Sequence, residues 1–179
     1  LAKDVSYTSL LSFNLTDIEF ANPNTGFIFG TSDSLMLKTT DGGNTWALIN
    51  CPAGLSGCSE MYFINASEGF ASTNSGSPDY ECRIVKTIDT GMSWYEVSND
   101  PESYDSKFAF FDDLHGVAGS VATEYRTRIL TTSDGGETWT GTTFTMPWFS
   151  TNSMCATDPN TAFTVGALGM IYKTSNQGA

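Results

Sequence analysis

The chain has 179 residues, of which 40% are hydrophobic, 13% aromatic and only 16% charged, so it can build a core and wholesale disorder is excluded. Eight Lys+Arg against twenty Asp+Glu give a formal net charge of −12, which excludes nucleic-acid phosphates and an anionic membrane surface as partners. The longest apolar runs, such as 166–172, are far too short for membrane insertion.

In chain order, short strands are expected at 17–20, 26–30, 35–39 and 45–49. They recur at 61–64, 69–72, 83–87 and 93–97, then at 108–111, 116–121, 128–132 and 138–142, and finally at 154–156, 161–165 and 170–174. Each is rich in aromatic or β-branched residues and is bounded by Gly, Asn, Asp or Ser. Only residues 10–20 show any helical amphipathic period.

The strands belong to a repeat. KTTDGGNTW at 38–46, KTIDTGMSW at 86–94 and TTSDGGETW at 131–139 align without gaps, and KTSNQG at 173–178 begins a fourth copy. The Asp or Asn stands at positions 41, 89, 134 and 176. A second phrase precedes each copy: FANPNTGF at 20–27, FINASEGF at 63–70, FDDLHGV at 111–117 and CATDPNTAF at 155–163. Four-stranded units recurring every ~40–50 residues are the mark of propeller blades. The expected fold is therefore an all-β propeller, one domain over 1–179, with four-stranded antiparallel blades at about 15–50, 60–98, 107–144 and 153–179. Residues 4–7 could add an outer strand to the fourth blade and close a four-bladed ring. The favoured alternative is that about four blades are present as part of a larger ring of about six to eight.

The phrase T-x-[DN]-x-G-x-[ST]-W resembles the Asp-box, or BNR, repeat of sialidase-like β-propellers. The fuller pattern is most similar to the subgroup named for the photosystem II assembly/stability factor, which includes many secreted bacterial proteins. The resemblance implies that Asp41, Asp89, Asp134 and Asn176 sit in the turn between the third and fourth strand of each blade. Gly43, Gly91 and Gly136 suit a positive φ there, and Trp46, Trp94 and Trp139 should be buried between blades. These residues are read as structural. A carboxylate repeated once per blade does not converge on a shared centre, as a catalytic or metal site requires. His115 is expected in a solvated turn. The position before each box (Lys38, Lys86, Thr131, Lys173) is expected to be exposed.

The cysteines, Cys51, Cys58, Cys82 and Cys155, form no CxxC pair, so neither metal nor cofactor is expected. Cys51 and Cys58 bracket a Pro- and Gly-rich loop and are expected to form a disulfide, with Cys82 as a competing partner. Cys155 is expected as a buried free thiol. Acidity, low Lys content and this loop together suggest an extracytoplasmic protein, secreted or at the cell surface.

Strand alternation places the turns between first and second strands and the Asp boxes on one face. The longer, more varied connections lie on the other, where function usually sits. These connections carry Tyr80, Tyr104, Tyr125, Trp148 and Phe149 among Glu60, Asp79, Glu81, Asp100, Glu102, Asp105 and Glu124. Tyr80, Tyr104, Tyr125 and Trp148 are the candidate ligand-binding residues. Aromatics among carboxylates suit a glycan or a basic protein partner. A sialidase needs three arginines gripping a carboxylate. Here Arg83, Arg126 and Arg128 fall at the starts of only two strands. The reading is a non-catalytic binding scaffold for a protein or a glycan. The alternative is a polysaccharide-active hydrolase of the Asp-box propeller type.

Overall fold

A computed structural model describes residues 15–30, 35–55, 57–74, 82–100, 103–122, 126–144 and 151–178. The first sheet contains β1 (Leu15–Phe20), β2 (Gly26–Gly30), β3 (Leu35–Thr39) and β4 (Ala47–Asn50). The second contains β5 (Cys58–Phe63), β6 (Gly69–Asn74), β7 (Cys82–Thr87) and β8 (Tyr95–Asp100). The third contains β9 (Ser103–Phe110), β10 (Gly116–Ala122), β11 (Arg126–Thr132) and β12 (Thr140–Phe144). The fourth contains β13 (Thr151–Ala156), β14 (Ala162–Gly166) and β15 (Ile171–Thr174). Every sheet is an antiparallel meander in chain order. The innermost strands meet in sequence, β1 with β5, β5 with β9 and β9 with β13. The sheets are thus four consecutive blades, referred to below as blades 1 to 4, and the fold is an all-β propeller. Among the described residues the one helical turn is a 3-10 turn at Ala167–Gly169.

The register shows why glycine opens each second strand. Gly26 stands opposite Phe20, Gly69 opposite Phe63 and Gly116 opposite Phe110. A Cβ on those glycines would meet the facing ring at 2.8, 2.6 and 2.7 Å. In blade 4 the facing residue is Ala156, and the opening position can accordingly be Ala162.

At each joint the residue that follows the opening position of a second strand, Phe27, Phe70 or Val117, is buried against the next blade. Phe27 packs in a cluster with Met61, Val85 and Trp94 of the next blade. Phe70 packs with Phe108, Ala118 and Leu130. The third joint is thinner, with Val117 against Ala162 and Met154.

Several expectations need correction. Trp94 is 8% exposed, but Trp46 and Trp139 are only half-buried. Trp46 is the indole of the first described blade, and its ring partner is Phe20 of its own sheet, edge-on at 6.0 Å. The fourth strands begin one residue after each tryptophan rather than before it, and Trp94 and Trp139 pack into the clusters between blades. The candidate helix at 10–20 is strand β1 from Leu15 onward. Its earlier part, with residues 4–7, lies outside the described residues.

The expected disulfide is absent, since Cys51 and Cys58 are not joined. Cys58 opens β5, and its thiol donates to the Glu60 carbonyl at 3.4 Å. Burial, first of all, pushes that thiol far above its ordinary range, which disfavours the thiolate that disulfide exchange requires. Cys82 is buried with the Ser72 and Ser106 hydroxyls at 3.2 and 3.6 Å, which removes it as a competitor. Cys155 is exposed, not buried, because it lies on the face of β13 turned away from blade 3.

Candidate functional site

Each Asp turn is built around a buried threonine that precedes the carboxylate by two residues. In blade 1 the Thr39 hydroxyl donates to Asp41 Oδ1 at 2.8 Å and accepts from the Gly43 amide at 2.9 Å. Asp41 then accepts from the Thr45 amide at 2.9 Å and from its hydroxyl at 2.7 Å. Blade 2 repeats this with Thr87, Asp89, Gly91 and Ser93, and blade 3 with Thr132, Asp134, Gly136 and Thr138. In blade 4 Asn176 accepts from Thr174 at 2.7 Å, and Thr174 accepts from the Gly178 amide at 2.9 Å. The four glycines have φ of 81°, 74°, 77° and 86°. These bonds favour the ionised form. Asp89 and Asp134 are held down at about 2, first by the hydroxyls of Ser93 and Thr138, and Asp41 is lowered chiefly by the Thr45 amide.

The two repeated phrases meet in space. Asn22, Asn65, Asp112 and Asp158 each cap their own turn between the first two strands. The residue after each box Asp or Asn donates its amide to that turn: Gly42 to Asn24, Thr90 to Ser67, Gly135 to Leu114 and Gln177 to Asn160, at 2.9, 2.9, 2.9 and 3.1 Å. This face is a row of paired turns whose carboxylates are occupied by their own backbone. His115 is half-buried in one of them, its Nδ1 3.0 Å from both oxygens of Asp112.

The position before the box is not uniformly exposed. Lys86 is 4% exposed. Its ammonium lies over the Phe70 ring at 5.7 Å and donates to the Gly135 carbonyl at 2.9 Å and to Glu137 Oε1 at 2.6 Å, both in the next blade. The Tyr95 hydroxyl donates to the same carboxylate at 3.2 Å. Burial, then Glu137, raises the Tyr95 phenol. Lys38 and Lys173 keep the ring contact, over Phe27 at 5.2 Å and Phe163 at 5.8 Å. Glu137 replaces Asn44 and Met92 of the aligned copies, and that difference was the legible signal for the pair.

A second polar group lies on the inner strands. Lys107 of β9 donates to Glu60 Oε2 of β5 at 2.6 Å. Glu19 of β1 accepts the Phe63 amide at 3.3 Å. Burial raises the Glu19 carboxyl, the Phe63 amide lowers it, and Asp17 and Glu60 raise it further. On local pattern alone Glu60 is expected in a long connection. The structure places it in β5, where its partner stands 47 residues away and local pattern is silent.

Of the candidate ligand-binding residues, Tyr80, Tyr125 and Trp148 lie outside the described residues, and of Tyr104 only the place in β9 is described. Arg83 and Arg128 reach across their own sheets, to Glu96 at 3.7 Å and to Thr143 at 2.7 Å, and are not gathered at one point. No helix among the described residues is long and apolar enough to cross a membrane.

No family model matches this chain. No curated protein matches it either. Solved structures do. YCF48 from Cyanidioschyzon merolae is similar with a TM-score of 0.64 and 14% identity, covering 94% of this chain and 52% of that one. The GH74 xyloglucanase from Xanthomonas campestris gives 0.66 and 16%, covering 91% and 28%. A YCF48 solved bound to a D1 peptide gives 0.52 and 14%, covering 93% and 79%. The chain spans about half the length of the first of these and under a third of the second. At such identities the likeness shows the propeller fold.

Proposed function

We propose that this chain is a binding scaffold, a propeller of the Asp-box type secreted or displayed at the cell surface, which takes a protein partner or a glycan on the long-loop face around Tyr80, Tyr104, Tyr125 and Trp148. The observation that supports this most is how the carboxylates of the opposite face are used. Asp41, Asp89 and Asp134 each accept hydrogen bonds from their own turn, so that face builds the blades, and variable loops are left for recognition. The acidity of the chain favours a basic polypeptide, and the peptide-bound YCF48 is a precedent for peptide capture on this fold. A screen of the chain against immobilised basic peptides and glycans tests the reading. Saturable binding that Trp148→Ala abolishes supports it, and binding indifferent to Trp148→Ala and to Tyr104→Ala counts against it.

The second reading, a polysaccharide hydrolase, is favoured by one observation. Glu19 is a half-buried carboxyl whose pKa is raised above the ordinary value, chiefly by burial, the direction a general acid needs, and a GH74 xyloglucanase shares the fold. Against this reading, Glu60 is occupied by Lys107.

A further inference from the structure

Blade 2 differs from the other blades at two places that meet in space. In its first turn, Asn65-Ala66-Ser67 forms an Asn-X-Ser triplet, the acceptor pattern for N-linked sugars. In its Asp box, Ile88 and Met92 are apolar and 58% and 73% exposed. We propose that Asn65 is an acceptor for an N-linked glycan, and that the attached sugar covers Ile88 and Met92. The proposal rests on the extracytoplasmic reading above, because this modification belongs to exported chains.

The turn can carry a substituent without losing its own bonds. Asn65, Ala66 and Ser67 are all exposed. Asn65 Oδ1 accepts from the Ser67 amide at 3.0 Å, from the Ser67 hydroxyl at 3.1 Å and from the Glu68 amide at 2.9 Å. All three bonds use the oxygen, whereas a glycan is attached at Nδ2, so the cap survives the modification. Transfer forms a bond from Nδ2 to the anomeric carbon of an oligosaccharide carried on a lipid pyrophosphate. The pyrophosphate leaves with the electron pair of the broken C–O bond, and Nδ2 releases one proton.

The aligned copies separate this turn from the rest. The equivalent triplets are Asn22-Pro23-Asn24, Asp112-Asp113-Leu114 and Asp158-Pro159-Asn160. None ends in a hydroxyl residue, and none is an acceptor. The places of Ile88 and Met92 are held by Thr40 and Asn44 in blade 1, by Ser133 and Glu137 in blade 3, and the first of them by Ser175 in blade 4. The blade whose first turn carries the triplet is thus the blade whose box is apolar.

Hydrogen bonds join the two places. Thr90, midway between Ile88 and Met92, donates its amide to the Ser67 carbonyl at 2.9 Å and its hydroxyl to the Ala66 carbonyl at 3.1 Å. A sugar on Asn65 therefore starts beside both apolar side chains. The apolar face of a pyranose ring removes their surface from water, while its hydroxyls stay solvated.

The test expresses the 179-residue chain behind a cleavable secretory leader in cultured mammalian cells. Asn14, which heads the triplet Asn14-Leu15-Thr16, lies outside the described residues, and Asn14→Gln is present throughout. Intact mass is measured before and after treatment with peptide-N-glycosidase. The expected result is a glycan mass that the enzyme removes, that Asn65→Gln and Ser67→Ala abolish, and that Ser67→Thr retains. Ser67→Ala keeps the backbone bonds to Asn65, so it tests the site even if Asn65→Gln fails to fold. Peroxide should oxidise Met92 more slowly in the glycosylated chain than in Ser67→Ala, read by peptide mass mapping. A secreted chain without the glycan, a glycan that persists in Ser67→Ala, or equal oxidation of Met92 would overturn the proposal. Because the leader imposes export, such a failure strikes the site and leaves the extracytoplasmic reading standing.

Discussion

The ring of Phe70 in β6 lies against Gly136 in the Asp turn of the next blade, so closely that a Cβ on Gly136 would come within 2.3 Å of it. Phe27 stands in the same relation to Gly91, at 2.8 Å, and Val117 to Gly178, at 2.7 Å. One blade's second strand thus packs under the next blade's turn. The box glycine is required twice over, for its positive φ and for this approach.

Two glycines separate these requirements. Gly136→Ala meets both the left-handed backbone and the Phe70 ring and should cost about 3 kcal/mol. Gly169→Ala has φ of 71° but nothing within 4 Å of the added carbon, and should cost about 1 kcal/mol. Urea unfolding of both variants checks the difference. Equal losses would mean that the joint does not depend on this contact.

Thr90 adopts φ of 59° at a position where two aligned turns carry Gly42 and Gly135. A β-branched residue is strained there. It is held by its amide bond to Ser67 and a hydroxyl bond to the Ala66 carbonyl. Thr90→Gly should raise stability by about 1 kcal/mol, read as a higher melting temperature. A fall would show that the hydroxyl bond outweighs the strain.

The buried cation gives a sign prediction. Glu137→Ala leaves the Lys86 ammonium nearly buried with only the Gly135 carbonyl and the Phe70 ring, and should cost about 2–3 kcal/mol. Lys86→Met removes the charge and keeps the length, and should cost under about 1 kcal/mol. With Lys86→Met in place, Glu137→Ala should add almost nothing. A double-mutant cycle that is additive would contradict the pairing.

Much of this was legible in the sequence, and the boundary is physical. Turns and second strands are set by residues within a few positions, as Asx caps at Asn22 and Asn65 and glycines at Gly26 and Gly69 show, so a repeated phrase reveals them. First strands began earlier than local pattern suggested. Cys58, Ser103 and Thr151 open them, and polar residues such as Glu60 and Lys107 are held there by each other across blades. Lys86 read as exposed for the same reason, since its partner stands 51 residues on. The long-loop aromatics have no repeat to align with, and their chemistry alone marked them.

Acid should loosen the blades in a defined window. Asp89 and Asp134 are depressed from 3.8 to about 2 in the folded chain. Their contribution is therefore complete above pH ~4, declines as pH falls, and is gone below about 2. Because both are solvent-screened, each should contribute about 1 kcal/mol or less. Asp89→Asn and Asp134→Asn should flatten the stability profile between those limits, and an unchanged slope would contradict the hydrogen-bond account.

The scaffold reading is tested most directly by measuring binding and turnover on one preparation. The chain is incubated with xyloglucan and other polysaccharides, and with basic peptides. Bound ligand and released reducing ends are followed together for the wild type, Trp148→Ala and Glu19→Gln. The account predicts saturable binding lost in Trp148→Ala, with no sugar released by any of the three. Sugar release that Glu19→Gln abolishes and Trp148→Ala spares would contradict it and establish the hydrolase instead.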